Sequence, residues 1–556
     1  MKSTGDNPRQ SIAPQESGGT VSAHGPTASE HVVRSAGIVS AAVFSSRVTG
    51  LVREIVMARL FGAGFIYDAF LLGFRIPNLT RDLFAEGALS SAFVPVFTQT
   101  LTTEGRRKAA QLSNVTGTAI ILFVGTLAVL GMIFAPVLVE LLAPGFHNVP
   151  GKFELTVRLT QVMFPFLLMV ALAAQAMGVL NTCNRFGVPA TASTFFNFGA
   201  ISFGLLAGFV IGPHIGIDRI TGMAIGVVIG GAIQLGWQLP AMWSEGFAFH
   251  WSKQWSNPGL RRIIHLMGPA ILAEAAVQIN VMVNTNFASR IPLNGPVSWL
   301  GYSFRFMQFP LGVFGVAIAN ATLPSIARSI SQGNLEEYRR TLSRSLAMVF
   351  LLCVPSSVGL IVLGRSIVAV IYQGGAFTVW DTQQTARALT WYAVGLAGYA
   401  GLKVLNPAFY ALHDSRTPML ISIASIAINY GVASRMSARF GHVGLAMSTS
   451  AVATVAALAL FWILRNRIDG IYGRNLLSST WRIIAAAMVM GAAITGSSRL
   501  ITSSAGTGRI GSFIDVAISI PLGFGVFWLV SRLLKVPELE LAAQAIPASW
   551  RERLGW

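Results

Sequence analysis

Apolar stretches recur along most of the chain and are separated by short polar segments. A membrane-spanning helix needs roughly 20 mainly apolar residues, and the sequence holds about fourteen such stretches. They are centred on residues 36–61, 68–95, 114–141, 157–180, 189–211, 220–243, 263–288, 297–325, 344–370, 386–411, 416–434, 441–464, 480–499 and 511–533. The pattern predicts an all-α polytopic membrane protein with about 14 transmembrane helices.

Two polar segments stand outside this pattern. Residues 1–34 are rich in Ser, Gly, Pro and Thr and lack the apolar region of a signal peptide. We expect them to form a disordered cytoplasmic tail. Residues 246–262 contain FHWSKQWSNPGLRR, whose Trp and basic residues predict a linker at the membrane interface.

Composition agrees with the membrane assignment and sets the orientation. The chain is 53% hydrophobic and 11% charged, whereas a soluble domain carries about 25% charged residues. With the N-terminus inside, about 15 Lys and Arg residues fall in cytoplasmic loops and about 7 in the opposite loops. This bias predicts that both termini are cytoplasmic. Loop placement therefore accounts for the net charge of +18 without nucleic acid.

Two long segments resemble each other and indicate an internal repeat. FRIPNLTRDLFAEGALSSAFVPVFTQTL and FRFMQFPLGVFGVAIANATLPSIARSI each end a predicted helix at a proline. The prolines of the pair Pro95 and Pro324 are 229 residues apart, as are those of the pair Pro189 and Pro418. Between these landmarks, LLAPGF corresponds to IYQGGAF. Each repeat holds six spans, an even number, so the two repeats should be parallel in the membrane.

The repeat divides the chain into predicted domains. Residues 35–245 would form an N-lobe of helices 1–6, and residues 263–466 a C-lobe of helices 7–12. Residues 467–556 would hold helices 13 and 14 and a cytoplasmic C-terminal tail. Parallel repeats are a common transporter plan, in which the substrate site lies between the halves near the midplane.

The first span carries charge where charge is costly. Its segment SSRVTGLVREIVMARLFG includes Arg47, Arg53 and Glu54. A charge at mid-bilayer costs at least a few kcal/mol, so an intramembrane charge indicates function. Arg47 and Arg53 are candidates for an internal cavity, and Glu54, on the face of Arg47, could partly neutralise it.

The second span adds a polar stripe. Its members Arg75, Asn78, Asp82 and Glu86 are spaced at i, i+3, i+7 and i+11, on one helix face. Arg81 lies beside this stripe, and Asp68 lies at the start of the span. The alternative interpretation is that these charges pair internally and hold helices together, with Asp68 as an N-cap.

The second half carries fewer charges. Arg305, early in span 8, is the repeat equivalent of Arg75. Glu274 and Gln278 in span 7 could hold a coupling cation or proton, although helix packing is the alternative role. With Lys403 in span 10, the candidates of both halves comprise six cations and five anions, so the cavity should bind an anion. Arginine suits phosphate because its planar fork donates two parallel hydrogen bonds.

Several of these motifs together resemble one family. SRVTGLVRE, ARLFGAG, FRIPNLTRDLFAEGALSSAFVPVF, LLAPGF and SWLGYSFRFMQFPLGVFGVAIANATLPS are similar to the MurJ (MviN) family. That family comprises lipid II flippases of the multidrug/oligosaccharidyl-lipid/polysaccharide (MOP) exporter superfamily. The resemblance runs from about residue 36 to the end and weakens after residue 430. It implies fourteen helices in two six-helix lobes and a terminal pair, and a function in peptidoglycan synthesis.

The resemblance also implies a mechanism and roles for residues. Members move undecaprenyl-pyrophosphate disaccharide pentapeptide from the inner to the outer leaflet by alternating access. Arg47, Arg53 and Arg305 would bind the pyrophosphate, with Arg81 in the same substrate-binding region. Gating or structural support falls to a second group: Asp68, Glu86, Asn78 and Glu54. The terminal helices would accommodate the lipid tail.

One position departs from the family pattern. Many relatives flank the arginine of span 8 with acids, whereas this chain reads FRFMQFP, with Phe304 and Gln308. Arg305 therefore lacks a local acidic partner in the sequence, which puts a gating ion pair at this point in doubt.

The remaining function classes are limited by what the sequence lacks. We expect no enzyme, because the outer loops are short and nearly without acids, and no catalytic or metal-binding motif is present. No P-loop is present either, so we expect no cofactor and a dependence on membrane potential or a coupling cation. The expected partners are lipid II, membrane lipids and cell-wall synthesis proteins, in a bacterial inner membrane. The alternatives are a flippase for another polyprenyl-linked oligosaccharide, a drug/cation antiporter and a membrane-embedded transferase.

Overall fold

The computed structural model describes residues 28–81 and 89–544. Glu86 and Asp82 lie outside this part of the chain, as does the side chain of Glu274. All regular elements of the described residues are helices, and the β-structure among these residues is limited to one isolated bridge between Gly374 and Phe377. The all-α prediction is therefore confirmed. The first described helix begins at Ala28, within the range 1–34 that was predicted as a tail.

The described residues of the first half form ten α-helices. They are α1 (Ala28–Phe61), α2 (Phe65–Arg81), α3 (Ser90–Thr103), α4 (Arg106–Ile133), α5 (Ala135–Leu142), α6 (Lys152–Met163), α7 (Pro165–Thr182), α8 (Gly187–Leu205), α9 (Gly212–Ile215) and α10 (Arg219–Ser244). Prolines explain two interruptions of predicted spans. Pro136 follows the end of α4, and Pro165 begins α7, each in a first turn where proline needs no backbone donor.

In the second half, the part of the chain that the structure describes, up to residue 544, forms eleven α-helices. They are α11 (Pro258–Ser289), α12 (Pro296–Pro310), α13 (Val316–Ser331), α14 (Leu335–Ile371), α15 (Val379–Val394), α16 (Leu396–Ala411), α17 (Arg416–Phe440), α18 (His442–Arg467), α19 (Gly473–Ala505), α20 (Arg509–Leu533) and α21 (Pro537–Gln544). A π-helical turn, Leu311–Gly315, joins α12 to α13.

Ten helical segments of the described chain are long and apolar enough to cross a membrane. The segments of four predicted spans are not among them: α1, α2–α3, α11 and α15–α16. Each of these four carries charged residues in its sequence. The protein is therefore a multi-pass membrane protein, and the count of fourteen stays a prediction.

The backbone supports the internal repeat. Asn184 and His413, which are 229 positions apart, both adopt left-handed conformations with φ of 60° and 57°. Each lies in the turn that joins two helices, α7 to α8 and α16 to α17. A left-handed non-glycine residue is uncommon, so its recurrence at the same offset indicates two copies of one unit.

Contacts between the halves repeat as well. We call the side where α1 and α11 end the outer face, following the orientation predicted from loop charges, and the opposite side the inner face. A Cβ on Gly375 would overlap the carbonyl oxygen of Arg59, at the end of α1. A Cβ on Gly145 would overlap the carbonyl oxygen of Ser289, at the end of α11. The two contacts are related by an offset of 230, so a loop of each half meets the first helix of the other.

The linker between the halves lies along α4 at the inner face. The backbone N–H groups of His250 and Ser252 donate to Asn114 Oδ1 and Thr118 Oγ1, at 3.0 and 3.1 Å. The linker has no helix of its own before α11 begins at Pro258. The linker is thus an extended segment that is hydrogen-bonded to the N-terminal half. The range predicted for it, 246–262, includes the first residues of α11.

The terminal helices α19 and α20 pack together and against α14. Asp515 of α20 is fully buried and accepts hydrogen bonds from three serines. Ser366 of α14 donates at 2.5 Å, Ser498 of α19 at 2.8 Å and Ser519 of α20 at 2.9 Å. Hydrogen bonds between side chains of neighbouring helices commonly stabilise helix packing within membranes. They attach the terminal pair to the second half of the chain.

Candidate functional site

One carboxylate on the outer side joins the two halves. Asp68, in the first turn of α2, is fully buried. Its Oδ2 accepts from Lys152 Nζ and from the N–H of Gly295, both at 2.9 Å. Its Oδ1 accepts from the Ser298 N–H at 2.8 Å and from the Ser298 hydroxyl at 2.5 Å. Asp68 is thus an N-cap, but of α12 in the other half and not of its own helix.

Lys152 is a functional candidate that the sequence did not single out. It begins α6, and only 2% of its side chain is exposed. Its ammonium also lies 4.3 Å from the centre of the Phe146 ring. In the sequence Lys152 resembles an ordinary loop cation, and its partner Asp68 lies 84 positions away. Removing one member of a buried ion pair costs about 3–5 kcal/mol, so Lys152 stabilises the buried Asp68 carboxylate that caps α12.

A second carboxylate joins the halves deeper in the protein. Glu54 of α1 forms an ion pair with Arg305 of α12 and accepts a hydrogen bond from Tyr372 Oη at 3.2 Å. Arg305 lacks a local acidic partner, as predicted, but it does form an ion pair, because its partner comes from the other half of the chain. Glu54 likewise pairs with Arg305 and not with Arg47, its predicted neighbour.

Arg53 lies beside this pair. Its guanidinium carbon is 5.3 Å from the centre of the Phe196 ring, a cation–π contact with α8. Arg305 and Arg81 are within electrostatic range of it. The structure therefore places two other predicted substrate-binding arginines near Arg53, and one of them, Arg305, pairs with Glu54.

A small cavity lies at the centre of this cluster. Its volume is about 90 Å³, and its lining includes Arg53, Glu54 and Arg305 together with Tyr67 and Phe74. Water occupies about 30 Å³ per molecule in the liquid, so only a few waters fit. The protein is in a state that could not enclose a sugar-peptide group at this place.

Arg47, the fourth arginine, lies nearer the inner face and is exposed. Its Nη1 would lie 3.1 Å from a Cβ added to Gly312, in the π-helical turn of the other half. Among the side chains that the structure describes, no carboxylate lies within ion-pair distance of Arg47 or Arg53.

Arg75 makes a contact between the halves that is equivalent to the contact of Arg305, with the two halves exchanged. Its Nη1 donates to Thr285 Oγ1 of α11 at 2.6 Å. Arg75 and Arg305 are 230 positions apart, and each reaches from the second span of its half to the first span of the other. The repeat equivalence predicted for these two residues is thus matched by equivalent contacts.

The remaining candidates are distributed along α2 and α11. Asn78 is half-buried on α2, and Gln278 is buried in α11. Nearby, Asn284 donates to Thr449 at 3.1 Å and accepts from Asn429 at 3.2 Å. Within the described residues, no three His, Cys, Asp or Glu side chains form a group that could hold a metal ion.

Comparison with known proteins identifies the family. The family model described as lipid II flippase MurJ matches residues 57–513. The chain belongs to the lipid II flippase MurJ family. A probable lipid II flippase MurJ of Buchnera aphidicola is 34% identical over 423 residues, covering 76% of this chain and 81% of the relative. The lipid II flippase MurJ of Burkholderia cenocepacia is 35% identical over 438 residues, covering 78% and 83%.

Solved structures show the fold. A lipid II flippase MurJ in an inward closed conformation superimposes with a TM-score of 0.72 at 23% identity, covering 89% of this chain and 99% of that chain. An inward-facing multidrug resistance MATE family transporter of the MOP superfamily superimposes with a TM-score of 0.65 at 13% identity, covering 76% and 94%. The resemblance to MurJ proteins found in the sequence is therefore confirmed, together with the transporter fold.

Proposed function

We propose that this protein is a flippase that moves lipid II from the inner to the outer leaflet of the bacterial cytoplasmic membrane. It would not act as an enzyme, and both termini would be cytoplasmic. The names of its relatives favour lipid II over another polyprenyl-linked oligosaccharide. The observation that carries the proposal is the cluster of Arg53, Arg81 and Arg305 between the halves, with Glu54 as its one described carboxylate.

On substrate binding, Arg305 would exchange its carboxylate partner for the pyrophosphate of lipid II. The pyrophosphate of lipid II is an anion that can accept bidentate hydrogen bonds from arginine. It would displace Glu54 from Arg305 and would also contact Arg47, Arg53 and Arg81. Glu54 would return to Arg305 when the substrate leaves, so Arg305 would have a carboxylate partner in the empty protein as well.

Translocation would require the closed outer face to open. The Asp68 cap on α12 and the glycine contacts at Gly145 and Gly375 hold the halves together there. These contacts support an alternating-access cycle in which the halves rock about the arginine cluster. Asn78 and Glu86 would support the gate from span 2, Glu86 lying outside the described residues. The apolar tail would stay in lipid along α19 and α20, which expose Leu500 and Phe524.

The driving force would be the membrane potential or a coupling cation. A charged cavity changes in energy by about 2.3 kcal/mol per charge for each 100 mV crossed. Glu274 and Gln278 of α11 are the proposed ion-coupling residues. Glu274→Gln should therefore change the dependence of transport on the ionic gradients, while Glu336→Gln on the exposed inner face should not. Equal gradient dependence in both variants would exclude this role.

Complementation tests the arginine cluster. We expect Arg53→Ala or Arg305→Ala to fail to support growth of cells depleted of their own lipid II flippase. Arg465→Ala, an exposed arginine at the end of α18, is the matched control and should support growth. Normal growth with Arg53→Ala and Arg305→Ala, at membrane levels equal to the control, would refute the proposal.

A direct assay separates the other functions. Vesicles containing the purified protein should transfer lipid II between leaflets faster than a polyprenyl-pyrophosphate carrying another glycan. A preference for the other glycan would support the sister flippase, and chemical turnover of the lipid-linked substrate would support an enzyme. Cell-wall synthesis proteins are proposed partners that would receive lipid II at the outer leaflet.

A further inference from the structure

A pocket of about 590 Å³ opens at the inner face, away from the arginine cluster. It lies between α14, α19 and α21. The residues that matter for its chemistry are three arginines, a serine and two glutamates: Arg340, Arg344, Arg482, Ser479, Glu538 and Glu540. None of them takes part in the proposed transport site. The volume is several times that of the central cavity and suits a small polar group.

Three arginines give this pocket its positive side. Arg340 and Arg344 lie on the inner end of α14 and are exposed. In the described part of the chain neither has a carboxylate within ion-pair distance. Arg482 of α19 donates through Nη1 to the carbonyl oxygen of Lys535 at 2.8 Å, which fixes its fork beside the pocket. Such a group of guanidinium donors suits a phosphate.

The pocket also has a negative side. Glu538 of α21 is only 8% exposed, and its Oε2 is buried without a hydrogen-bond donor among the described residues. A buried charged oxygen without a donor is costly. The pocket therefore provides donors for an anion and also an acceptor that needs a cation.

The pocket lies at the depth of lipid headgroups. Trp481 and Leu477 of α19, which adjoin the pocket residues Arg482 and Ser478, are 68% and 72% exposed. Exposed Trp beside basic residues is typical of the membrane interface. Basic pockets between transmembrane helices at this level bind lipid headgroups.

We propose that this pocket binds the headgroup of an aminophospholipid from the inner leaflet. Its phosphodiester would accept hydrogen bonds from Arg340, Arg344 and Arg482, and its primary ammonium would donate to Glu538. Phosphatidylethanolamine has both groups, a few bonds apart. Phosphatidylglycerol has no cation for Glu538, and phosphatidylcholine has a cation but no N–H donor.

Lipid titration of the full chain tests this assignment. The purified protein in detergent is titrated with phosphatidylethanolamine, phosphatidylglycerol or phosphatidylcholine, and bound lipid is counted by native mass spectrometry. We expect phosphatidylethanolamine to bind most tightly. Arg344→Gln should weaken that binding about tenfold, as expected for one lost charge-assisted hydrogen bond. Arg465→Gln, equally exposed but remote from the pocket, should leave it unchanged.

Glu538→Gln separates the two sides of the pocket. This variant keeps the arginines, so phosphate binding should persist while the preference for phosphatidylethanolamine over phosphatidylglycerol disappears. Equal binding of all three lipids by the unmodified protein would overturn the proposal, as would inorganic phosphate competing as well as the lipid. So would an unchanged lipid preference in Glu538→Gln with an unchanged melting temperature.

Discussion

At the scale of single residues, Glu54 links the two halves of the chain through its carboxylate. It accepts from Arg305 and Tyr372, which both lie in the other half of the chain. The Arg305 side chain is 53% exposed, so solvent weakens the pair relative to a fully buried one. We expect Glu54→Gln to lower the free energy of unfolding by about 1–2 kcal/mol and to abolish transport. Denaturation in detergent and the vesicle assay measure the two effects.

An exposed ion pair provides the control for Glu54. Glu336 lies 3.9 Å from Arg339 on one turn of α14, and 56% of its side chain is exposed. Glu336→Gln should change stability by less than about 0.5 kcal/mol and leave transport intact. If the two substitutions had equal effects, the Glu54 pair would have no special role.

Asp414 provides a residue-scale prediction about pH. Hydrogen bonds from Thr417, and then the Arg467 guanidinium, hold the pKa of its carboxyl below the ordinary value. A lowered pKa in the folded state stabilises the protein above the unfolded pKa, near 4, and this contribution is lost as pH falls through the folded pKa. Arg467→Gln should therefore lower the melting temperature between about pH 5 and 7 but have a diminishing effect below about pH 4.

The melting temperature measured across pH tests this sign. Arg465→Gln, two residues away and without a carboxylate partner in the described chain, controls for the general effect of losing a cation. A deficit of Arg467→Gln that grew as pH fell below about 4 would contradict the assignment.

The sequence predicted single residues better than their partners. Arg47 and Arg53 were both candidates for the internal cavity, and the structure places Arg53 at the cavity but Arg47 beside Gly312. The partner of Arg305 was not predictable, because Glu54 lies 251 positions away. The spacing of residues along one helix indicates which of them share a face. Ion pairs between the two halves depend instead on how the halves pack against each other.

At the scale of elements, the repeat was the most informative sequence feature. It predicted the equivalence of Arg75 and Arg305, and the structure gives both residues contacts with the first span of the opposite half. The repeat also aligned LLAPGF with IYQGGAF, whose glycines make equivalent contacts. The repeat could not predict that these glycines lie in close contact with the other half, because glycine is equally suited to a tight turn and to a close backbone approach.

The glycine contacts predict how the outer face responds to added volume. In Gly375→Ala the new methyl would overlap the Arg59 carbonyl, so the loop and α1 should separate. We expect the outer face to open and transport to fall. The measurement is the labelling rate of a cysteine at position 63, buried beside Gly295, with a membrane-impermeant maleimide. The native Cys183 and Cys353 are first replaced by Ala.

Gly374 is the matched control for this prediction. Its φ of 136° is also unfavourable for alanine, but a Cβ there would meet nothing within 4 Å. Gly374→Ala therefore carries backbone strain without the overlap. Faster labelling in Gly375→Ala alone would support the contact as the cause, whereas equal rates in both variants would assign the effect to backbone strain.

At the scale of the whole molecule, the terminal pair belongs mechanically to the second half. Asp515 receives hydroxyl donors from α14 and α19 as well as from its own helix. The apolar cluster that joins Ile483 and Phe527 also includes Leu363 of α14. Because these contacts are buried and specific, α19 and α20 should move with α14 when the halves rock.

Distances between spin labels test this rigid-body behaviour. Exposed positions at the outer face are Leu500 on α19, Val379 at the start of α15 and Val137 on α5. Between the unmodified protein and Gly375→Ala, the distance from 500 to 379 should stay constant, while that from 137 to 379 should lengthen. If 500 instead kept its distance to 137 and moved away from 379, the terminal pair would travel with the first half. The tail-binding surface would then stay with Arg53 and not with Arg305 during the cycle.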